Sequence, residues 1–171
     1  MNKENEFITI LGEPEWNKNV RTVLDKYDMP KPDTNRFIAF SDTEDNFIGF
    51  TFDSNHETDK QKGMKEQGNL YLQSMGFEHL DSKRINEIPL PFGIRKSTSY
   101  YDLAAKIGHA DLQDPEISFR KMWHLKKENG EIYNLVCVFT EDLKKCRMLY
   151  LLTFNSEIEY ELVKNETGPC H

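Results

Sequence analysis

Arg36-Phe-Ile-Ala-Phe40, Ser41-Asp-Thr-Glu-Asp-Asn46 and Phe47-Ile-Gly-Phe-Thr-Phe52 follow one another along the chain, and their reading decides the fold. The first and third stretches are short and rich in Phe and β-branched residues. The middle one is polar and suited to a turn. Together they predict two antiparallel strands joined by a tight connection. In the second strand Ile48, Phe50 and Phe52 share one face, and Phe47, Gly49, Thr51 and Asp53 share the other. That period of two belongs to a strand buried on one side.

Upstream, Val20, Val23, Leu24 and Tyr27 recur at helical spacing and predict a helix over 17–27. Pro14 and Pro30 bracket it, since proline does not fit a helix interior. Downstream, residues 53–68 are polar and read as a long exposed loop. Leu70-Tyr-Leu72 then opens a third strand. If Leu70 and Leu72 face the helix, Tyr71, Gln73 and Met75 face away from it.

The same order returns. Tyr100, Leu103, Ala104 and Ile107 repeat the first helical pattern 80 residues later. Lys121-Met-Trp-His-Leu125, Asn134-Leu-Val-Cys-Val-Phe139 and Leu149-Tyr-Leu-Leu-Thr153 then stand for the three strands. In the second of these, Leu135, Cys137 and Phe139 are the predicted core face. The expectation is an α+β fold of two tandem helix-plus-antiparallel-sheet repeats, 1–87 and 88–171. Ile88-Pro-Leu-Pro-Phe-Gly93 is the junction, its prolines interrupting strand pairing. A half of this size is near the limit for an independent core, so the repeats are expected to share one curved sheet with the helices on one face. The other face stays open, and function is sought there.

Composition narrows the classes. The chain has 171 residues and 20 aromatic side chains (11 Phe, 7 Tyr and 2 Trp), too many for a disordered acidic chain. No apolar run approaches the roughly 20 residues needed to span a bilayer, and Phe7 to Leu11 is too short for a signal-peptide core. A cytoplasmic location and no membrane partner are expected. Cys137, Cys146 and Cys170 are odd in number and at no metal-like spacing, which fits reduced thiols. Net charge is −7; residues 1–88 hold 17 acidic against 11 basic side chains, a balance of −6. An acidic surface repels phosphate backbones and favours a basic protein partner over nucleic acid.

Motifs for chemistry are missing. His56, His79, His109, His124 and His171 occur singly, with no spacing for a zinc site. Asp42, Glu44, Asp45 and Asn46 lack the glycine and distal glutamate of a calcium loop. No glycine-rich phosphate loop or nucleophile elbow occurs. No catalytic residue, cofactor or metal is assigned. The candidate site is instead a partner-binding face: Tyr71, Gln73 and Met75 of the first half, Tyr150, Leu152 and Phe154 of the second, with Asp42, Glu44 and Asp45 at its rim. Large aromatic and sulfur-containing side chains dominate binding hot spots.

The run Leu90-Pro-Phe-Gly93, a helix, Ile107-Gly108, and Trp123 ahead of a three-strand meander resembles the BamE/SmpA-like unit. It is also similar to the repeat unit of the beta-lactamase inhibitor protein. The resemblance spans residues 7–154. It implies paired helix-and-sheet units whose joined concave sheet grips a partner enzyme, and tandem proteins of this kind include bacterial immunity proteins. Two departures stand out. Gly108-His-Ala110 lacks the family's proline, and the secreted inhibitor's export signal and disulfides have no counterpart here. The resemblance therefore implies a non-enzymatic inhibitor of a cognate protein toxin, a basic nuclease among the candidates. The alternative is an envelope-assembly or scaffold module without inhibitory role. An enzyme using His109 or His124 is a third reading.

Overall fold

The hairpin is present, with its first strand starting two residues later than the apolar run suggests. The structure, a computed structural model, describes residues 3–54, 70–154 and 161–162. Strand β1 is Ile38–Asp42 and β2 is Ile48–Asp53. Thr43, buried in the turn, closes it: its hydroxyl accepts the N–H of Phe47 at 3.2 Å and of Ile48 at 3.1 Å. Asn46 takes a φ of 55°, a conformation its short polar side chain tolerates. Burial along β2 alternates as predicted, with Ile48, Phe50 and Phe52 inside.

Strand β3, Tyr71–Phe77, departs from simple alternation. Thr51 pairs with Ser74 while Phe52 pairs with Leu72, so Gln73 is an extra residue in a β-bulge. One inserted residue reverses the parity of everything after it. Leu72, Met75 and Phe77 are therefore the buried residues. Met75, expected on the open face, is wholly buried in the core.

The second half adds β4 (Leu112–Gln113), β5 (Arg120–Lys126), β6 (Ile132–Phe139), β7 (Cys146–Thr153) and β8 (Glu161–Leu162). The strands form one antiparallel sheet in the order β1-β2-β3-β7-β6-β5-β4-β8. Strands β3 and β7 pair over Ser74–Phe77 against Leu149–Leu152, and that short ladder joins the two halves. The class is α+β.

Three helices accompany the sheet. Helix α1 (Glu6–Ile10) is capped by Asn5, and α2 (Lys18–Lys26) by the Asn17 side chain. Helix α3 (Tyr100–Ile107) starts with a reciprocal Ser99–Asp102 capping box and ends at Gly108, whose φ of 89° suits only glycine well. Phe7 of α1 meets Phe77 edge-on, centroids 4.9 Å apart, and Phe50 at 6.5 Å. Tyr100 of α3 meets Trp123 at 5.8 Å and Phe139 at 5.7 Å. The Trp123 indole N–H donates to the Gly108 carbonyl at 2.8 Å, so the largest core side chain has its polar atom satisfied.

A single hydrophobic cluster runs from Phe7 to Leu151. The junction belongs to it: Ile85, Ile88, Leu90 and Ile94 are buried there. Further ties cross between halves. The Lys127 ammonium, buried, donates to the Leu11 carbonyl and pairs with Glu131 at 3.1 Å. The Glu128 N–H donates to Glu4 at 2.7 Å, and the Asn5 amide to the Pro89 carbonyl at 2.6 Å. The polar loop expected over 53–68 lies outside the described residues beyond Ser54, as does Cys170. Among the described residues no helix is long and apolar enough to cross a membrane.

Two measurements test this packing. Phe7→Ala removes a ring held by three others, Tyr27, Phe50 and Phe77, and should lower unfolding free energy in urea by about 3–5 kcal/mol, although α1 has only five residues. Cys137 and Cys146 are free and buried, and burial, reinforced by a hydrogen bond between the two thiols, pushes the Cys137 thiol well up. Because the thiolate is the reactive form, a Cys170→Ser variant should not colour with a disulfide reagent until denaturant is added.

Candidate functional site

The outer face of the sheet, opposite the aromatic core, can be read row by row from the strand registers. One row runs Asp42, Gly49, Gly76, Tyr150, Val136, Met122. The next runs Phe40, Thr51, Ser74, Leu152, Asn134, His124. A third holds Ile38, Asp53 and Tyr71, with Pro14 bridged to Tyr71 beyond it.

Over β2 and β3 the first two rows carry only small residues: Gly49, Thr51, Ser74 and Gly76, all partly accessible. Larger ones stand on either side, Phe40 and Asp42 on β1 and Tyr150 and Leu152 on β7. The result is a shallow trough over Thr51 and Ser74, for in the neighbouring row the Asp42 carboxylate lies over Gly49 and the Tyr150 ring over Gly76. Its two glycines have different reasons to be glycine. A Cβ on Gly76 would come within 3.0 Å of the Tyr150 ring, which leans across β3. A Cβ on Gly49 would meet only the Asp42 carboxylate, at 2.6 Å. Tyr150 is held in this pose by its hydroxyl, which donates to Glu78 at 3.3 Å and lies 3.4 Å from the Met148 sulfur.

The face is not open throughout. Met122, Asn134, Val136 and Val138 project from the outer side of β5 and β6, yet all are buried. The three apolar ones stand outside the main core cluster. The face is accessible over β1, β2, β3 and β7, and again at the far end of β5, where His124 and Lys126 are exposed.

The predicted residues are thus placed unevenly. Tyr150 and Leu152 are neighbours on the trough wall, and Asp42 closes the opposite wall in the Tyr150 row. Tyr71 is half-buried and lies beyond the β7 ladder, where the segment Gly12–Glu15 takes over the pairing with Leu70 and Leu72. Gln73 occupies the bulge. Phe154 is exposed, its ring centroid 5.5 Å from that of His124, which stands in the Leu152 row of the outer face. Glu44 is exposed on the β1–β2 turn, while Asp45 is paired with Arg84 at 2.6 Å; that guanidinium in turn lies over the Phe47 ring. The sequence placed Gly49 and Thr51 on the outer side of β2 without assigning them to the site, and did not single out Ile38, Phe40, Ser74 or Gly76. The signal for Ile38 and Phe40 is their alternation with Ala39 and Ser41.

His109 and His124 serve the framework. His109 Nδ1 lies 3.3 Å from the Tyr100 hydroxyl, and His124 Nδ1 lies 2.6 Å from the Asn134 amide oxygen. A cleft of about 370 Å³ elsewhere carries both signs of charge, Glu78, His79 and Asp81 with Lys96, Lys145 and Arg147. Among the described residues no group of three or more His, Cys, Asp or Glu side chains is arranged to hold a metal ion.

The glycine pair gives a contrast that urea titration can read. Gly76→Ala should destabilise by about 1–3 kcal/mol through crowding of the Tyr150 ring, and Tyr150→Ala in the same chain should remove most of that loss. Gly49→Ala should stay within about 0.5 kcal/mol of the parent, because a free-ended carboxylate can swing aside.

In comparison with protein families, curated proteins and solved structures, the chain finds no match.

Proposed function

We propose that this protein is a non-enzymatic inhibitor that binds and blocks a cognate protein toxin, as an immunity protein does. The fold is read here as two tandem repeats, α1–α2–β1–β2–β3 and α3–β5–β6–β7, with the third strand of each meeting at the seam. The order β1-β2-β3-β7-β6-β5 supports this, since each half contributes a three-strand meander running outward from the β3–β7 ladder. Contacts of Phe7 with Phe50 and Phe77, and of Tyr100 with Trp123 and Phe139, support a reading with all helices on one face. Register partners carry Phe50, Phe77 and Phe139 to the same side of the sheet.

The observation that carries the functional reading is the trough on the opposite face. Its wall holds Tyr150 and Leu152, Thr51 and Ser74 form a low, partly accessible floor between Phe40 and Leu152, and Asp42 and Glu44 give its rim negative charge. An aromatic anchor beside an acidic rim suits a basic protein: the charges raise the encounter rate and the ring contributes most to retention. A nuclease, whose substrate-binding cleft must be basic to hold nucleic acid, has the matching surface. Met75 is withdrawn from the binding set by its burial, and Phe154 stands at the margin.

Co-expression with any secreted toxin found encoded beside its gene tests this. Rescue of growth by the parent chain is expected. Tyr150→Ala should weaken the complex by about 1–4 kcal/mol with the urea midpoint little changed, whereas Met75→Ala should act through stability. No rescue against any neighbouring toxin, together with no stoichiometric partner recovered from the host, would remove the basis for the proposal.

A further inference from the structure

Strand β1 lies at the end of the sheet, and its sequence is not that of a protected edge. Exposed edges are usually blunted by lysine, proline or inward-pointing charge, because their unpaired backbone groups invite another strand. Here the outward side chains are Ile38 and Phe40, 49% and 64% exposed, followed by Asp42, with Phe37 beside them 70% exposed.

The backbone points the same way. The Ser54 N–H donates to the Phe37 carbonyl at 3.0 Å and the Thr43 N–H to the Ile48 carbonyl at 2.9 Å. In this register the odd-numbered residues of β1 exchange bonds with β2. Ile38, Phe40 and Asp42 therefore turn their N–H and C=O groups to the free side. Among the described residues no other strand lies there.

We infer that this edge pairs with β1 of a second copy, antiparallel about a two-fold axis through Ala39. That register is self-complementary. Ile38 of each copy meets Phe40 of the other, each pair exchanging two N–H···O=C bonds, and Arg36 stands opposite Asp42 of the second copy. Arg36 is exposed and bound in the monomer only to Asp33, at 3.3 Å and at the surface, so its guanidinium can reach a second carboxylate. Centring the axis on Phe40 instead would put apolar Ile38 against charged Asp42 and would set Arg36 against Glu44, which lies beyond the strand in the β1–β2 turn. The apolar pair selects the Ala39 axis, and on that axis the acid facing Arg36 belongs to the strand itself. A continuous sheet then runs through both copies, and the trough beside β1 becomes one of two flanking the junction. This inference goes beyond the inhibitor reading and stands without it.

Sedimentation equilibrium on the full chain reads the result. The parent should be a dimer with a urea midpoint that rises with protein concentration, and Phe40→Lys should be a folded monomer with a concentration-independent midpoint, since the ring is exposed on the outer face. Arg36→Asp and Asp42→Arg should each weaken self-association at least about tenfold, and an equimolar mixture of the two should form a heterodimer of parental strength. A parent that stays monomeric at about 1 mM, a dimer indifferent to Phe40→Lys, or a mixture no tighter than its components would each overturn the pairing. If the parent is monomeric and Phe40→Lys abolishes toxin rescue, the edge belongs to the toxin and self-pairing is rejected. Failure of rescue with an intact dimer would count against the inhibitor reading alone.

Discussion

The ladder between β3 and β7 is the constraint on which the rest depends. It is four residues long on each strand, yet it turns two small sheets into one and decides which face is shared. Because paired residues point the same way, Phe77 opposite Leu149 and Met75 opposite Leu151 commit both halves to one apolar side. On the reverse side Gly76 opposite Tyr150 lets a large ring lie flat across the seam. Neither half has enough apolar surface to be secure alone, so the ladder and the common core are one requirement seen twice.

Much of the architecture was legible because it rests on periodicity. The 17–27 and 99–107 helical patterns, the alternation in β2 and the polar turn before it all follow from where apolar side chains fall. Helix α1 was not legible: five residues give one apolar cluster and no period, and tertiary contacts give it a place, of Phe7 with Tyr27, Phe50 and Phe77 and of Glu6 with Lys26 and the Tyr27 hydroxyl. The bulge at Gln73 left no mark in composition, and it alone moved Met75 from the predicted binding face to the core. Strands β4 and β8, two residues each, are defined by pairing rather than propensity. Of the candidate site, Tyr150, Leu152 and Asp42 were readable from parity. The burial of Val136 and Val138 had a signal of its own, since Leu135 to Phe139 is an unbroken apolar run, the pattern of a strand covered on both sides.

Charge and aromatic surface adjoin at the outer centre of the sheet. His109 and His124 are engaged with Tyr100 and Asn134, and Arg84 is committed to Asp45 and the Phe47 ring. On the outer face the Asp42 carboxylate lies over Gly49 and the Tyr150 ring over Gly76, while Thr51 and Ser74 stay partly accessible between Phe40 and Leu152.

The contacts of Lys127 with the Leu11 carbonyl and of Glu128 with Glu4 span 116 and 124 positions of chain. During synthesis the amino-terminal turn must wait until nearly three-quarters of the polypeptide has left the ribosome before these partners exist. Closing so long a span is slow compared with local helix formation. The nascent first half therefore emerges with its Phe-rich strands incompletely covered, and a truncated translation product would carry that same exposed surface to the cell's chaperones and proteases.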